Sequence, residues 1–249
     1  MHRNFKYLDD LIHSNSKDIS LTYDILLDNE EALNYIDGIK LDVDDVVIEG
    51  NYHIVDARLL TRIFSITGKN IIIKNILFKN GYSSSKLDNN QDGWAFRNPI
   101  LPTGYAGAIL NYGSVKLIDC TFIKNYFLSY GGAIVNLGDL EIKDCVFENN
   151  SSYNGGSIFN KGNVKIINSF FRYNGGPIYF RLKFELPHIY PESTKYGGAI
   201  LNEYKLNMDN CRFRENYARH GGAINNYFGQ IKGENLEFSD NSSRFFCFI

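Results

Sequence analysis

A pair of short motifs that recurs along the chain constrains its fold more than any other feature of the sequence. Gly-Gly-Ala-Ile occurs at residues 131–134, 197–200 and 221–224, and variants begin at Ala106, Gly155 and Gly175. The second motif, Phe-x-x-Asn, begins at Phe122, Phe147, Phe171, Phe213 and Phe238, and Phe78 begins a degenerate copy. Three of the five Phe-to-Phe spacings are 24 or 25 residues, so the sequence predicts a structural repeat of about that length.

Alignment of the copies on this Phe shows the period of a β-strand interrupted by a corner. Apolar residues recur seven, five and two positions before the Phe, and steps of two indicate a strand with one buried face. The step of three indicates a corner, and Asn or Asp occupies it in every copy: Asn75, Asp119, Asp144, Asn168, Asn210 and Asn235. These side chains tolerate the left-handed backbone that a sharp corner needs.

The repeat of about 24 residues predicts a β-solenoid, because each copy contains short strands joined by tight corners. One rung cannot bury its inner face alone, so neighbouring rungs must stack as parallel strands about 4.8 Å apart. Identical side chains then form columns along the axis, Phe on Phe and Asn on Asn. Asn amides can hydrogen-bond along such a column, which gives a physical use for the 29 Asn residues of the chain.

We expect a single domain with a helical cap at its N-terminal end. Residues 1–37 would form this cap and the first strands, residues 38–241 the stacked rungs, and residues 242–249 a terminal tail. Phe5, Leu8, Leu11 and Ile12 fit one face of a short helix, which would cover the open end of the solenoid. Early strands are expected at 19–25, 46–48 and 63–66, and residues 28–35 are expected to form a helix or a loop.

The two motifs together resemble the repeat of the chlamydial polymorphic outer-membrane proteins and that of the adhesin-like surface proteins of methanogenic archaea. The resemblance covers roughly residues 40–241. It implies an all-β fold, a right-handed parallel β-helix of the pectin-lyase-like kind with a short N-terminal helical cap. It also implies an extracellular or cell-surface protein that contacts glycans or proteins of other cells. Many unrelated functions share this scaffold, so the resemblance indicates fold more strongly than activity.

Charge and hydropathy exclude some classes of partner. The net charge is −2, and residues 1–50 carry −8 while the remainder carries +6. The chain has no excess of basic residues, which argues against binding to nucleic acid. No apolar run reaches the roughly 18 residues of a membrane-spanning helix. The first ten residues lack the apolar core of a signal peptide. The apolar residues after Ser243 lead us to expect either a fragment of a longer adhesin or a tail that plugs the end of the solenoid.

Two insertions are the most promising places for binding. Residues 81–105 and 175–196 both lie between a Phe-x-x-Asn copy and the next Gly-Gly-Ala-Ile copy, which begins at Ala106 or Gly197, so both leave the solenoid at the same corner. Insertions on one side of a repeat protein commonly form binding surfaces. The candidate contact residues are aromatic: Trp94, Phe96, Tyr105, Tyr179 and Tyr190. The alternatives are that the insertions have no role, or that they fold back over an outward stripe formed by Leu77, Thr121, Val146 and Phe170.

Catalysis, cofactors and metals are weakly indicated. Asp209 and Glu234 are the one pair of acids that stacks at an outward column, which would suit a polysaccharide lyase or hydrolase, but a solvated surface explains them better. Asp88 and Asp92 lie in a segment that matches half of a calcium loop, but Pro99 replaces its final Glu. Cys120 and Cys145 are expected to be stacked buried thiols rather than a disulfide. We therefore expect a binding module that is not an enzyme and has no cofactor or metal.

Overall fold

In the computed structural model, which describes residues 2–82, 106–176 and 194–245, the chain winds through three parallel β-sheets as a right-handed β-helix. Each rung passes in turn through sheet 1, sheet 2 and sheet 3, and every strand pair in the described ranges is parallel. This is the all-β parallel solenoid predicted from the repeat. Because successive rungs are hydrogen-bonded in register, a residue of one rung lies directly beside its counterpart in the next rung.

The strands are short, as the repeat requires. Sheet 1 contains β4 (Ile39–Leu41), β7 (Phe64–Ile66), β10 (Ile109–Asn111), β13 (Ile134–Asn136), β16 (Ile158–Asn160), β19 (Ile200–Asn202) and β23 (Ile224–Asn226). Sheet 2 contains β2 (Asp18–Ser20), β5 (Val47–Glu49), β8 (Ile71–Lys74), β11 (Ser114–Ile118), β14 (Asp139–Lys143), β17 (Asn163–Ile167), β20 (Lys205–Asp209) and β24 (Gln230–Glu234).

Sheet 3 carries the Phe residues of the second motif. It contains β1 (His2–Arg3), β3 (Asp24–Leu26), β6 (Ile54–Asp56), β9 (Leu77–Lys79), β12 (Thr121–Ile123), β15 (Val146–Glu148), β18 (Phe170–Arg172), β21 (Arg212–Arg214) and β25 (Glu237–Ser239). A further pair, β22 (Tyr217–Ala218) and β26 (Ser242–Ser243), joins two of the corners that follow sheet 3.

The predicted Phe column is the centre of the core. The rings of Phe122 and Phe147 lie 4.7 Å apart and within 3° of parallel, and Phe147 stacks on Phe171 in the same way. The column continues to Phe78 at one end and to Phe213 and Phe238 at the other. All are fully buried except Phe238, which is 40% exposed. The column is therefore confirmed, and its last described member differs from the rest in being open to solvent.

The predicted corner residues adopt the conformation that their chemistry favours. The φ angles of Asn75, Asp119, Asp144, Asn168, Asn210 and Asn235 lie between 50° and 57°. Of this column, Asn168 donates to Asp144 and Asn210 donates to Asn168, at 3.0 and 2.9 Å, on an exposed surface. The longer Asn ladders lie elsewhere, inside the solenoid.

Two Asn ladders, buried except at Asn226 and Asn241, run along the corners that flank sheet 1. One joins Asn111, Asn136, Asn160, Asn202 and Asn226 through side-chain amides, over distances of 2.7–3.0 Å. The other joins Asn125, Asn150, Asn174, Asn216 and Asn241, over 2.8–3.1 Å. Buried amides are stable only when their donors and acceptors are paired, so these ladders fix the register of one rung on the next.

The second glycine of Gly-Gly-Ala-Ile is required by close approach between rungs. A Cβ placed on Gly132 would overlap the carbonyl oxygen of Gly156 in the next rung and the backbone nitrogen of Ser151. The motif therefore marks a point where neighbouring backbones come too close to leave room for a Cβ, and a side chain there would force the rungs apart.

The N-terminal end is covered by a helix, as predicted. Helix α1 (Phe5–Ile12) begins at the N-cap Asn4 and buries Phe5, Leu8 and Ile12, while Leu11 is partly buried. A short 3-10 helix spans Ala32–Tyr35, within the segment expected to be helix or loop.

The prediction of one strand over residues 19–25 was wrong. Two strands, β2 and β3, occupy this stretch and belong to different sheets. The intervening residues make a corner whose sequence lacks the Asn or Asp that marks later corners. The strands expected at 46–48 and 63–66 lie at β5 and β7, each within one residue of the expected bounds.

Candidate binding edge

Both insertions are rooted on one edge of the solenoid, the corner between sheet 3 and sheet 1, which we call the insertion edge. Its first row consists of single bridges that join Tyr82 to Tyr126, Tyr126 to Ser151, and Gly175 to Tyr217. Its second row joins Tyr130 to Asn154, Asn154 to Tyr196, and Tyr196 to His220. The insertions leave the solenoid at the first row and return at the second row, so their roots lie on one line.

The two roots are close along the axis. The first-row positions Tyr82, Tyr126, Ser151 and Gly175 belong to successive rungs, since the backbone of Gly175 donates to Asn150 beside Ser151. Three steps between rungs correspond to about 14 Å. The five aromatic candidates of the insertions, Trp94, Phe96, Tyr105, Tyr179 and Tyr190, lie outside the described residues, as do Asp88 and Asp92 of the calcium hypothesis.

A column of rings runs along the second row of the insertion edge. The ring of Tyr196 stacks on His220 at 5.2 Å, and His220 stacks on Phe245 at 5.5 Å. These side chains are partly exposed, and half of Phe245 is open to solvent. Rings held in a stack by the backbone register present pre-ordered edges, which reduces the entropy that a partner must overcome on binding.

The ammonium group of Lys195 lies beside two aromatic rings at the root of the second insertion. The Lys195 Nζ lies 4.9 Å from the ring centre of Tyr196 and 5.7 Å from that of Tyr153, one rung away. Burial would lower the pKa of Lys195, but the hydroxyl groups of Tyr153 and Tyr196 outweigh it and leave the pKa raised. The ammonium therefore stays charged at neutral pH and is held between two aromatic rings.

A second apolar cluster lies on the outer face of sheet 1, beside the insertion edge. It consists of Ala106, Leu110, Val135, Phe159 and Leu201, all at most 4% exposed, and the partly buried Tyr130, Leu137 and Tyr196 pack against it. Ala106 and Tyr196 also belong to the returning roots of the two insertions. The outer wall of the solenoid and both roots thus form one packed unit.

Sequence reasoning missed this cluster, although the signal is present. The middle residue of Ile-x-Asn points outward and reads Leu110, Val135, Phe159 and Leu201 over four rungs. The outward stripe considered from the sequence is a different one: Leu77, Thr121, Val146 and Phe170 of sheet 3 are half-buried, and the insertions expected to fold over it lie outside the described residues. Arg172 and Arg212 lie over the ring of Phe170, 5.6 and 5.1 Å from its centre.

The acid pair proposed from the sequence is adjacent in the structure but solvated. Asp209 and Glu234 are register partners in β20 and β24. Asp209 accepts a hydrogen bond of 2.9 Å from Asn235, and Glu234 pairs with Lys232 at 3.1 Å. Both carboxylates are exposed, whereas a general acid is usually held protonated by burial or by a close second carboxylate. The arrangement resembles a surface ion-pair network.

Other polar side chains on the outer face of sheet 2 also pair between rungs. Lys116 bonds Glu141 of the next rung at 2.8 Å, and Asn163 donates to Asp139 at 2.8 Å. Opposite charges on neighbouring parallel strands stabilise the register modestly, because both partners remain in contact with water.

The three described cysteines are free thiols in the core. Cys120, Cys145 and Cys211 are buried, and each Sγ lies near backbone carbonyl oxygens. Burial raises the pKa of Cys145 and that of Cys211, which disfavours the reactive thiolate. Within the described ranges, no cluster of three or more His, Cys, Asp or Glu side chains could hold a metal ion, and no helix could span a membrane.

Comparison with known proteins identifies the repeat. The family model described as right handed beta helix region matches residues 106–247. No curated protein and no solved structure matches the chain.

Proposed function

Since the chain belongs to the right-handed β-helix family, we propose that it is a non-catalytic, adhesin-like binding module of the cell surface. In this proposal the insertion edge captures a glycan or a protein of a partner cell. One observation carries it: the two insertions are rooted three rungs apart on the same edge. A rigid scaffold that presents two loops side by side is the usual architecture of a binding surface.

The described part of this edge has the chemistry of a contact surface. It combines the Lys195 ammonium, which lies near two aromatic rings, with the partly exposed rings of Tyr196 and His220. The apolar cluster on the outer face of sheet 1 lies beside them. Aromatic side chains with a polar group bind both sugars and protein surfaces, because they bury much area with few rotatable bonds.

The proposal is tested by removing each insertion without disturbing its rung. In the first variant, residues 83–105 are replaced by Phe-Leu-Ser-Tyr, which is the linker at 127–130 that joins the same two rows in the next rung. In the second variant, residues 176–196 are replaced by Ala-Arg-His, copied from 218–220. Because both linkers already connect these rows in the protein, the variants keep the rung spacing.

The readout is binding of fluorescently labelled protein to arrays of immobilised glycans and to panels of whole cells. We expect the unaltered chain to bind a subset of surfaces, and each replacement to reduce that binding at least about tenfold, a loss of about 1.4 kcal/mol. Circular dichroism should stay unchanged, since each variant keeps its rung. Equal binding by the chain and both variants would refute the role of the insertions.

A polysaccharide-cleaving enzyme is the competing function, and Asp209 beside Glu234 is the feature that favours it. We expect no new reducing ends and no unsaturated products when the chain is incubated with plant, bacterial or animal polysaccharides. Product formation that disappears in Asp209→Asn and Glu234→Gln would reverse this assignment in favour of catalysis.

A further inference from the structure

The outer face of sheet 2 contains a groove that follows the axis of the solenoid, which we call the sheet 2 groove. Two depressions of about 460 and 360 Å³ adjoin each other there, and Lys165 and Asn207 line both of them. The first reaches back to Ile72 of β8 and the second extends to Glu234 of β24, so the groove crosses six neighbouring strands. Five steps between strands give it a length of about 24 Å. Both volumes fall in the range of about 300–1,000 Å³ that ligand sites occupy.

This groove lies on the one side of the three-sided rung that does not touch the insertion edge. That edge joins sheet 3 to sheet 1, and both insertions and the last described residue, Phe245, meet the solenoid there. From β8 to β24, the corners on either side of sheet 2 lie within the described residues and hold no insertion. Among the residues that the structure describes, none covers the groove, since Asp139, Asn163 and Lys165 are exposed.

Two columns of polar side chains line the sheet 2 groove, because strands in register repeat each outward position at every rung. Where the strands begin, Ser114 lies beside Asp139, and Asp139 lies beside Asn163. Two residues further along the strands, a second column consists of Lys116, Glu141, Lys165, Asn207 and Lys232. Each rung from β11 to β24 therefore presents hydroxyl, amide, ammonium or carboxylate groups to whatever lies in the groove.

The polar groups toward both ends of the groove are paired with each other, whereas those at its centre keep free hydrogen-bonding capacity. Lys116 pairs with Glu141 at 2.8 Å, and Lys232 pairs with Glu234 at 3.1 Å. Lys165 and Asn207, where the two depressions meet, make no side-chain hydrogen bond or ion pair with any residue that the structure describes. An ammonium group beside a side-chain amide thus offers several N–H donors and one carbonyl acceptor at the middle of the groove.

The balance of charge in the groove favours a neutral ligand. Its carboxylates are those of Asp139, Glu141, Asp209 and Glu234. Its ammonium groups are those of Lys116, Lys165 and Lys232, so four negative charges against three positive charges leave −1. Nucleic acid and acidic polysaccharides would meet repulsion from the carboxylates.

The backbone of sheet 2 disfavours an extended peptide as the ligand. Strands β11, β14, β17 and β20 are each paired on both sides, so their main-chain groups are already hydrogen-bonded to neighbouring strands. A peptide would therefore lack the main-chain bonds through which sheets bind peptides at a free edge. A chain of sugars needs no such bonds, because each hydroxyl group both donates and accepts and can pair with side chains of either kind.

Two half-exposed tyrosines lie on the corner that borders the groove. Tyr112 comes two residues before Ser114, and Tyr204 comes directly before β20, and each is 47% exposed. Their rungs are three steps apart, which corresponds to about 14 Å along this border. A sugar ring has an apolar face and a polar rim, and an aromatic ring that carries a hydroxyl group complements both.

We propose that the sheet 2 groove binds a neutral, linear glycan whose chain runs along the solenoid axis. Lys165 and Asn207 donate to its hydroxyl groups at the centre of the groove, and the exposed carboxylate of Asp139 accepts from them. Tyr112 and Tyr204 contact sugar rings along the border. This inference goes beyond the proposed role of the insertion edge, because it assigns a second surface and relies on neither insertion.

The probes are linear hexasaccharides of glucose, mannose and xylose, with hexagalacturonate as an acidic control of the same length. We expect at least one neutral hexasaccharide to bind the full chain saturably in isothermal titration calorimetry. A disaccharide of the same sugar should bind at least about tenfold more weakly, because it fills only a short part of the groove. Hexagalacturonate should also bind more weakly, because the carboxylates of the groove repel it.

The double variant Lys165→Ala with Asn207→Ala removes the donors at the centre of the groove. Both side chains are exposed, so the variant should keep the circular dichroism of the unaltered chain. We expect its affinity for the hexasaccharide to fall about tenfold. Lys40→Ala is the matched control, since Lys40 is an exposed strand lysine on sheet 1, and its affinity should equal that of the unaltered chain.

The two insertion replacements separate this site from the insertion edge, and both should bind the hexasaccharide as tightly as the unaltered chain. If they lose the hexasaccharide while the double variant retains it, the groove proposal is overturned and the glycan belongs to the insertion edge. Tighter binding of hexagalacturonate than of every neutral hexasaccharide overturns the proposed ligand class. Absence of saturable binding to all three neutral hexasaccharides also overturns the groove proposal, and the role of the insertions then depends on its own test with arrays and cells.

Discussion

The side-chain amide of Asn150 donates to the side-chain oxygen of Asn174 in the next rung, at 3.1 Å, and both side chains are buried. Asn150 also donates to the carbonyl oxygen of Phe122 and accepts two bonds from Asn125. Its truncation therefore leaves several polar groups without partners where water cannot replace it.

We expect Asn150→Ala to lower the free energy of unfolding by about 3 kcal/mol, since an unpaired buried polar group costs about 1–3 kcal/mol. Asn207→Ala, on the exposed face of β20, is the matched control and should change stability by less than about 0.5 kcal/mol. Urea denaturation of the unaltered chain, Asn150→Ala and Asn207→Ala measures both changes in the free energy of unfolding. Equal stability of Asn150→Ala and the control would mean that the ladder does not hold the rungs.

The Phe column provides a graded test of burial along one structural position. Phe147 is fully buried between two stacked rings, so Phe147→Ala should cost about 3–5 kcal/mol as a core cavity. Phe238 occupies the same column but is 40% exposed and stacks on one described ring, so Phe238→Ala should cost less than about 2 kcal/mol. Thermal or urea unfolding gives the difference, and similar costs at both positions would contradict the exposure of Phe238.

The sequence was sufficient to predict the rung, because its period is local and repeated. Each copy places Phe147 or its equivalent at a fixed distance from a corner residue such as Asp144. The corner residue has a positive φ in each copy, and the Phe residues pair in register. The first rungs were harder to predict. The stretch that holds β2 and β3 lacks an Asn or Asp corner, so the apolar pattern alone suggested one strand.

The outer features could not be predicted from the same period. Phe159 points outward yet is 1% exposed, because Tyr130 from an adjacent corner packs at 4.5 Å from its ring. Which outward column becomes covered depends on where neighbouring corners fold, and this is a tertiary property. The proximity of Lys195 to Tyr153 likewise arises from stacking of two rungs that are separated in sequence by an insertion.

Glu31 anchors the helical cap through contacts that no local motif would reveal. Its carboxylate accepts from the backbone N–H of Phe5 at 2.8 Å and of Lys6 at 3.1 Å, at the N-terminus of α1. We expect Glu31→Ala to lower the free energy of unfolding by about 1–2 kcal/mol, the range for loss of an N-terminal cap with a charged acceptor.

The neighbouring Glu30→Ala serves as the control for Glu31→Ala, since Glu30 is exposed. Hydrogen exchange should show faster opening of α1 in Glu31→Ala than in the control. Identical exchange of α1 in the two variants would argue that the cap is held by its apolar face alone.

The buried thiols should be chemically silent in the folded protein. Cys120, Cys145 and Cys211 are at most 1% exposed, and burial raises the pKa of Cys145 well above its ordinary value. In a Cys247→Ser background, we expect a disulfide reagent to modify none of the three at neutral pH until denaturant unfolds the chain. Rapid modification of one thiol without denaturant would show that the core opens locally at that rung.

His13 should make the attachment of the cap dependent on pH. At the C-terminal end of α1, its ring lies between two carboxylates, 2.9 Å from Asp9 and 3.0 Å from Asp42. Burial would lower the pKa of His13, but the hydrogen bond to Asp42 and the contacts with Asp9 outweigh it, so the pKa is raised above 6.5. The folded state therefore holds this proton more tightly than the unfolded state. Its contribution to stability is fully present below pH 6.5 and is lost as the pH rises through the folded pKa.

We expect the effect of His13 to be small, because its side chain is 41% exposed and water screens both ion pairs. The stability difference between the chain and His13→Gln should be larger at about pH 5.5 than at about pH 8.5, by roughly 0.5 kcal/mol. Urea denaturation at the two pH values measures this difference, and subtracting the variant removes the titration of other groups. The difference should also shrink in high salt, because a screened ion pair loses strength as ionic strength rises. A difference that is independent of pH, or larger at the alkaline value, would show that His13 holds the cap through packing rather than through its charge.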